Sequence, residues 1–330
     1  MQPLFTEGAD PFEVSGRLLA DGIGDGLPVV PPTEIGLAAM LADHPDPDAV
    51  LGLVPPLFGE LTAGSVGYFA LLAGCRPAEL PVVLAAVRAT LEPEFNLLGV
   101  QTTTGTPAVA VLVHGPVVAE LGFNPGANAL GPGNRVNACV GRAVALTLAG
   151  VGGAQPGVTD MATLGQPGRY TFCLPEHPDA PQGWPSLAVR RGLEPGTSAV
   201  TVLAVGGTSE AVPRAGGETL ADVLEPIAAL LAGATLAAGE PSRMAASEQY
   251  VVLPPEVVDR LTGLDATADT VTAELYSRGN AALARAGAGS HRVAAGAEGV
   301  YLLASGGVGV KMLHLPGWMG GTHAISAAIS

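Results

Sequence analysis

The feature that most constrains this chain is a loop rich in Gly, Pro and Asn that leads directly into a segment of good helix formers. The loop covers residues 124–134, and the helix-forming segment runs over residues 135–149. Glycines such as Gly133 permit tight turns and a close approach of the backbone to a ligand. Asn134 is a preferred helix N-cap, because its side-chain oxygen can accept a free backbone N–H. Connections of this kind are common in α/β proteins.

The start of the predicted helix has the chemistry of an anion-binding site. Free N–H groups and the positive end of the helix dipole point toward the preceding loop. Arg135 and Arg142 lie on either side of Cys139, four and three residues away, so the three share a helix face. Two guanidinium groups favour a carboxylate or a phosphate. The predicted substrate-binding residues of this region are Gly133, Asn134, Arg135, Asn137 and Arg142. The alternative is an ordinary connector followed by a solvated helix face.

Composition narrows the class of protein. Of the 330 residues, 48% are hydrophobic, which is enough for a sizeable core, while 46 Gly and 29 Pro punctuate the apolar runs. Only 14% are charged, well below the usual quarter or so, and so thin a polar surface predicts a homo-oligomer. The net charge of −15 argues against partners such as nucleic acid or an anionic membrane.

Three features predict a soluble, cytoplasmic protein. The three cysteines are far apart, odd in number and without a CxxC pair, as expected of reduced thiols. The first residues lack the basic and apolar segments of a signal peptide. No run reaches the roughly 18 uninterrupted apolar residues of a membrane-spanning helix.

Three apolar segments share one pattern, in which a strand is followed by a glycine-containing break. They are AVAVLVHGP at 108–116, AVTVLAVGG at 199–207 and GVYLLASGG at 299–307. Apolar strands that alternate with helices predict an α/β fold with a mixed or mostly parallel sheet, built from repeated strand–Gly loop–helix units. If these strands share one sheet, the loops 114–135, 206–217 and 306–322 surround a common site. Chance similarity of apolar strands is the alternative.

The order of apolar and turn segments also predicts the division of the chain. Residues 1–26 form a lead-in with a short amphipathic helix, residues 27–198 a first α/β unit, and residues 199–330 a second unit. Within these units, residues 44–58 are predicted to be a Pro-rich loop. A glycine-rich loop from 306 is predicted to lead to a last helix that begins at Thr322.

Candidate catalytic groups lie near the ends of the repeated strands. Lys311, the single lysine, stands among apolar neighbours, and partial burial would lower its pKa and suit it to base or Schiff-base chemistry. The alternative is an exposed lysine paired with a surface carboxylate. His114 and His314 are candidate general bases. Thr103, in a run of polar residues, is predicted to line the pocket, unless the run is a turn whose side chains bond the local backbone.

Cofactors, metals and thiol chemistry receive less support. The loop matches neither the dinucleotide-binding pattern nor the phosphate-loop pattern, and no HExxH or helical histidine pair occurs. We therefore expect no cofactor and no metal. Cys139 lies between two arginines, which would lower the pKa of its thiol, but a cysteine in the middle of a helix is more often a small core residue.

Five segments together resemble a little-characterised bacterial family that is related to the UGSC-type selenoproteins. They are DGLPVVPPT (Asp25–Thr33), AGCRPAELPVVLAAV (Ala73–Val87), FNLLGVQTTT (Phe95–Thr104), GPGNRVNACVGRA (Gly131–Ala143) and GQPGRYTFC (Gly165–Cys173). The similarity covers most of the chain. No UGSC or CGSC string occurs here, so the redox chemistry of the namesake motif is not implied. The glycine pair before Lys311 is similar to the end of the family's chains and favours a role for this lysine.

Two functions are consistent with the sequence. The first is an enzyme that acts by proton transfer on a small anionic metabolite, as a hydrolase, lyase or isomerase, with Lys311 or a histidine moving the proton. The second is a non-catalytic subunit that supports a thiol- or selenol-bearing redox partner.

Overall fold

Helices and mixed sheets share the chain in the computed structural model, which describes residues 2–178, 181, 183–216 and 218–330. The predicted α/β class with mixed sheets is confirmed. Gly217, the last residue of the predicted 206–217 loop, lies outside the described residues.

The described residues form eleven α-helices. They are α1 (Pro11–Ala20), α2 (Glu34–Met40), α3 (Ala63–Ala73), α4 (Leu80–Ala89), α5 (Leu97–Thr102), α6 (Val117–Glu120), α7 (Arg135–Gly152), α8 (Leu187–Arg190), α9 (Leu220–Ala237), α10 (Pro255–Gly263) and α11 (Ala268–Arg285).

The strands form a two-stranded hairpin and two four-stranded sheets. They are β1 (Val50–Val54), β2 (Gly59–Thr62), β3 (Ala108–His114), β4 (Cys173–Pro175), β5 (Ala199–Val205), β6 (Ser209–Ala211), β7 (Gln249–Leu253), β8 (Val300–Ala304), β9 (Met312–Pro316) and β10 (Ile325–Ala328). The first sheet has the order β10-β5-β3-β4, and the second has the order β6-β9-β7-β8. Each four-stranded sheet contains one parallel pair, β3 with β4 in the first and β7 with β8 in the second.

The two four-stranded sheets pack face to face between two layers of helices. Val111 and Val113 of β3 point into a core shared with α3, α4 and α7. Leu112, on the opposite face of the same strand, packs in a middle layer with Val252 and Leu303 of the second sheet. The other face of the second sheet packs against α9, α10 and α11. Because side chains alternate across a strand, this order of helices, sheet, sheet and helices buries both faces of both sheets.

The three similar apolar segments form strands as predicted, but they do not share one sheet. β3 and β5 are antiparallel neighbours in the first sheet, and β8 lies in the second. The carboxyl ends of β3 and β5 therefore lie at opposite ends of the sheet. This overturns the expectation of a single site at three parallel strand ends. The predicted unit boundary before residue 199 precedes β5, which belongs to the first sheet, as does β10 near the end of the chain.

Three local predictions are wrong. The predicted loop at 44–58 contains β1, which pairs with β2 in a hairpin. The glycine-rich segment after residue 306 contains β9, which pairs with β6 and β7. The predicted last helix from Thr322 is instead β10, which pairs with β5. The short helix predicted in residues 1–26 is confirmed as α1.

Helix α9 is the one helix of the described residues that is long and apolar enough to span a membrane. Its buried residues, including Val223, Leu224 and Ile227, pack in the core on the helix side of the second sheet. Its Glu225 makes an ion pair with Arg278 of α11 at 3.0 Å. One side of α9 is therefore packed against α11 and the second sheet.

Candidate functional site

A chain of hydrogen-bonded polar side chains crosses the otherwise apolar layer between the two sheets. His114 is the last residue of β3, and its fully buried ring points into this layer. Its Nδ1 lies 2.7 Å from Oε2 of Glu176, and its Nε2 lies 2.9 Å from Oγ1 of Thr201 on the neighbouring strand β5. The predicted candidate His114 is thus held between a carboxylate and a hydroxyl.

The chain continues from Thr201 to β10. Thr201 and Ser326 face each other across the β5–β10 pair, and their hydroxyl oxygens are 2.8 Å apart. The Nε of Arg191 donates to the Ser326 hydroxyl at 2.8 Å, and its Nη2 donates to the backbone oxygen of Ala324. We call Ser326, Thr201, His114 and Glu176 the relay.

When His114 is neutral, the contacts of the relay assign a direction to each proton. Glu176 accepts from the backbone N–H of Leu187 as well as from His114, so the carboxylate form satisfies every contact. The proton of a neutral His114 then lies on Nδ1, and Nε2 accepts from the Thr201 hydroxyl. Thr201 in turn accepts from Ser326, because its single hydroxyl proton is already donated to Nε2 of His114. The Ser326 hydroxyl therefore donates into the relay.

A second buried carboxylate borders the relay. Glu248 accepts from the hydroxyl of Tyr250 and from the backbone N–H of Ala324, the latter at 2.7 Å. Tyr301 donates to the same carboxylate at 3.3 Å, and its ring lies under the Arg191 guanidinium at 5.0 Å. Burial and the charge of Glu248 raise the pKa of both tyrosines, so both remain donors. This cluster fixes Arg191 beside Ser326.

Ser326 is the only member of the relay that is not buried, and it is among the residues that line a cavity of about 850 Å³. We call it the β10 cavity. Its lining combines one face of α4, part of β1 and the whole of β10. The lining residues are His44, Asp46, Leu51, Ala63, Pro81, Leu84, Ala85, Arg88, Ala89, Leu91, Glu92, Glu94, Ile325, Ser326, Ala327, Ala328 and Ser330. Its size is in the range of small-molecule sites.

The other end of the relay borders a second cavity, of about 580 Å³, whose lining includes Glu176 and Trp184. Arg190, near Glu176, donates to the backbone oxygens of Pro185 and Leu302. Burial lowers the pKa of Arg190, and the charge of Glu176 opposes that shift. The relay therefore connects one cavity with another through the middle layer.

The two arginines that the sequence assigned to an anion are both bound to carboxylates of the protein. Arg135 binds Glu79, which is 3% exposed, and donates to the backbone oxygen of Gly74 at 3.0 Å. Arg142 binds both oxygens of Asp25 at 2.8 Å. The guanidinium groups therefore tie helix α7 to earlier segments of the chain.

The predicted asparagines hold the loop in its own shape. The side chain of Asn134 donates to the backbone oxygens of Asn128 and Gly131 and makes no cap hydrogen bond to α7, so the predicted N-cap contact is wrong. Asn137 accepts from the backbone N–H of Asn124 and donates to its oxygen. Gly133 has a φ of 97°, which explains the need for glycine there.

Two of the predicted glycine-rich loops do meet. The backbone N–H of Gly306 donates to the oxygen of Pro125 at 2.7 Å. A Cβ atom on Gly307 would lie 2.6 Å from the Cα atom of Ala127, so only glycine permits this approach. Thr103 lies elsewhere, and its hydroxyl accepts from the backbone N–H of Gly105 at 3.0 Å. This is the local turn that was the alternative for the Thr103 run.

The remaining catalytic candidates lie away from the relay. Lys311 is 66% exposed and pairs with Glu210 at 2.8 Å, so the expected desolvation of its ammonium group is wrong. His314 lies within β9 rather than in a loop, and its Nε2 lies 2.6 Å from Oε1 of Gln249. Burial lowers the pKa of His314 to about 4. Its ring faces the helix side of the second sheet.

Thiol chemistry receives no support from the described residues. Burial raises the pKa of Cys139, although the neighbouring Arg135 acts in the opposite direction. Cys75 and Cys173 are buried, which raises their pKa further. No group of three His, Cys, Asp or Glu side chains that could hold a metal occurs in the described part of the chain.

Sequence reasoning found one member of the relay, His114, and missed the other three. Thr201 is the one polar residue within the apolar strand β5, which was an available signal. Glu176 follows the three-residue strand β4 directly, in a segment without a recognisable motif. Ser326 carried no signal, because its segment was predicted to be a helix.

In comparisons with known proteins, no family model matches the chain, and no curated protein has a significant match to it.

Proposed function

We propose that the chain is an enzyme of the hydrolase type, in which Ser326 is the nucleophile for acyl transfer to a substrate in the β10 cavity. The observation that carries this proposal is the unbroken series of short contacts behind the Ser326 hydroxyl. The series runs over 2.8 Å to Thr201, 2.9 Å to His114 and 2.7 Å to Glu176. A nucleophile, a base and a group that orients the base within hydrogen-bond reach are what covalent catalysis by a hydroxyl requires.

The proton and the electron pair balance along the relay. As the Ser326 oxygen bonds to the acyl carbon, its proton moves to Thr201, and the Thr201 proton moves to Nε2 of His114. The resulting imidazolium is stabilised by the Glu176 carboxylate. The carbonyl π pair moves onto its oxygen as the Ser326 bond forms and returns as the bond to the leaving group breaks, and the Thr201 hydroxyl, reprotonated from Nε2 of His114, gives the leaving group its proton. Water then attacks the acyl carbon and gives one proton to Thr201 and His114, and the Ser326 oxygen departs and takes that proton back as its hydroxyl.

Arg191 has a separate role in this proposal. Its Nε–H contacts the Ser326 oxygen directly, and a positive charge at that distance favours the ionised form of the hydroxyl. Its position is fixed by the Ala324 oxygen and the Tyr301 ring. Because the relay ends in a hydroxyl that can serve as a nucleophile, it favours hydrolysis over elimination and isomerisation. These are the other two reaction types that are consistent with the sequence.

The proposed substrate is not the anion expected from the sequence. Arg135 and Arg142 are occupied by carboxylates of the protein and are not part of the β10 cavity. The cavity itself has three carboxylates, Asp46, Glu92 and Glu94, against the cationic Arg88 and one imidazole. This excess of acid favours a neutral or cationic substrate.

A serine-reactive fluorophosphonate provides the test, because it needs no knowledge of the substrate. The Ser326 oxygen should displace fluoride from phosphorus, and mass spectrometry should find one adduct on the peptide that contains Ser326. Ser326→Ala and His114→Gln should abolish labelling. Ser330→Ala is the matched control, because Ser330 lines the same cavity but has no contact with the relay, and this variant should label like the parent.

The alternative outcome is equally specific. If the parent protein is not labelled, or if Ser326→Ala is labelled as fast as the parent, then Ser326 is not a nucleophile. The non-catalytic subunit would then be the preferred function.

A further inference from the structure

Strand β10 forms an open edge of the first sheet. In the described part of the chain it pairs with β5 alone. Beyond its end, the backbone N–H of Ile329 donates to the oxygen of Ser198 on the β5 side. Because backbone groups alternate in direction along a strand, the N–H and C=O groups of Ser326 and Ala328 point to the opposite, open side.

The residue just before β10, Ala324, already forms hydrogen bonds on the same open side. The N–H of Ala324 donates to Glu248, and its oxygen accepts from Arg191. Among the described residues, no such partner is found for the outward backbone groups of Ser326 and Ala328. Four successive residues of β10 line the β10 cavity. Since neighbouring side chains point to opposite faces, this pattern shows that the edge of the strand, rather than one face, opens onto the cavity.

We propose that the β10 cavity binds an extended peptide with basic side chains, which adds a strand to the first sheet beside β10. The inference rests on the proposed function, because it names the substrate class of the Ser326 site. Backbone groups of the peptide would pair with the N–H and C=O groups of Ser326 and Ala328, which lie about 7 Å apart along the strand. Addition of a strand to an open sheet edge is a common mode of peptide recognition.

The charge of the cavity selects this occupant over a second copy of the chain. The cavity contains Asp46, Glu92 and Glu94, but only Arg88 is a permanent cation there. A second copy would bring the same carboxylates and a further net charge of −15 to the interface. A peptide with Lys or Arg side chains is instead attracted to the acidic rim.

The test measures peptide binding separately from catalysis. The probe is a dye-labelled, acetylated Lys-Val-Lys-Val-Lys amide, and binding is followed by fluorescence anisotropy at low ionic strength. Ala328→Pro removes the outward N–H and adds a ring at the open edge, and it should weaken binding at least about tenfold. Ala328→Val keeps the N–H and is the matched control, with an affinity within about threefold of the parent.

A second set of measurements keeps the test valid if Ala328→Pro folds poorly. On the parent protein, methylation of alternate backbone nitrogens of the probe should abolish binding, and so should replacement of its three Lys by Glu. Equal binding of the original and the N-methylated probe would overturn the inference.

The inference and the proposed function fail in different ways. Backbone-dependent probe binding without fluorophosphonate labelling of Ser326 supports the strand-addition site and removes the catalytic role. Labelling of Ser326 without probe binding supports the nucleophile and overturns the peptide as substrate class.

Discussion

Buried His314 makes the stability of the fold depend on pH in a way that the structure quantifies. The side chain is 1% exposed, and its Nε2 donates to Oε1 of Gln249, whose amide donates to the backbone oxygen of Val293. Burial lowers the pKa of His314 from its ordinary value of 6.5 to about 4. The unfolded chain therefore binds a proton between pH 6.5 and pH 4 that the folded protein does not bind.

This difference in proton binding fixes the sign and the size of the effect. The contribution is fully present above pH 6.5 and is lost as the pH falls toward 4, because protonation then favours the unfolded state. A shift of this size corresponds to about 3 kcal/mol of unfolding free energy, at about 1.4 kcal/mol for each pKa unit. His314→Gln removes the titration and keeps an N–H donor for Gln249.

Urea denaturation at a series of pH values measures this contribution. The stability difference between the parent and His314→Gln should change by about 3 kcal/mol in favour of the variant between pH 7 and pH 4. His314→Asn is a second variant without titration, so its pH profile should run parallel to that of His314→Gln even if its absolute stability differs. Parallel profiles for the parent and both variants would refute the reasoning.

Three further predictions concern the relay and the ion pairs. Thr201→Val leaves the buried Nε2 of His114 without a donor and should cost about 1–3 kcal/mol of unfolding free energy. Thr201→Ser keeps the hydroxyl and should cost only about 1 kcal/mol for the lost methyl, so equal urea midpoints for the two variants would contradict this prediction. Arg135→Met leaves Glu79 as an uncompensated buried charge and should cost about 3 kcal/mol of unfolding free energy. The double variant with Glu79→Gln should recover much of that stability, and a double-mutant cycle measures the recovery. Lys311→Met breaks only an exposed ion pair and should change stability by less than about 1 kcal/mol with no loss of fluorophosphonate labelling, and a loss of labelling would return Lys311 to the site.

The parts of the fold that the sequence predicted correctly are those with a strong local pattern. β3, β5 and β8 are continuous apolar runs that end at glycines, and α7 follows a clear break in a run of good helix formers. Buried strands and long helices of this kind are recognisable without knowledge of their neighbours. The pairing of the strands was not, because the same apolar runs fit either one sheet or two.

The C-terminal strand shows why the rest was missed. The segment around β10 is rich in Ala, the best helix former, yet its residues pair with β5 over four positions. Pairing with an existing sheet overrides local propensity. Because that pairing positions Ser326, the exposed end of the relay could not be predicted from the sequence.

The charged residues illustrate a different limit. Arg135 and Arg142 were correctly placed on one face of α7, but their partners, Glu79 and Asp25, lie 56 and 117 residues away in the chain. Spacing within a helix reveals which side chains are neighbours on that helix. It does not reveal which distant carboxylate will reach them, and that decides whether a guanidinium is free to bind a ligand.

The polar network between the sheets is not explained by stability. Removing carboxylates and a guanidinium from water costs several kcal/mol for each ion, and well-packed apolar side chains in their place are often as stable or more so. The same layer is otherwise filled by residues such as Leu112, Leu203 and Leu303, so the fold accommodates apolar side chains there. With a neutral His114, the polar members add a direction of proton donation from Ser326 toward His114, and they hold an arginine against the same hydroxyl. A core that needed only to be stable would not require that direction, whereas the proposed nucleophile Ser326 would.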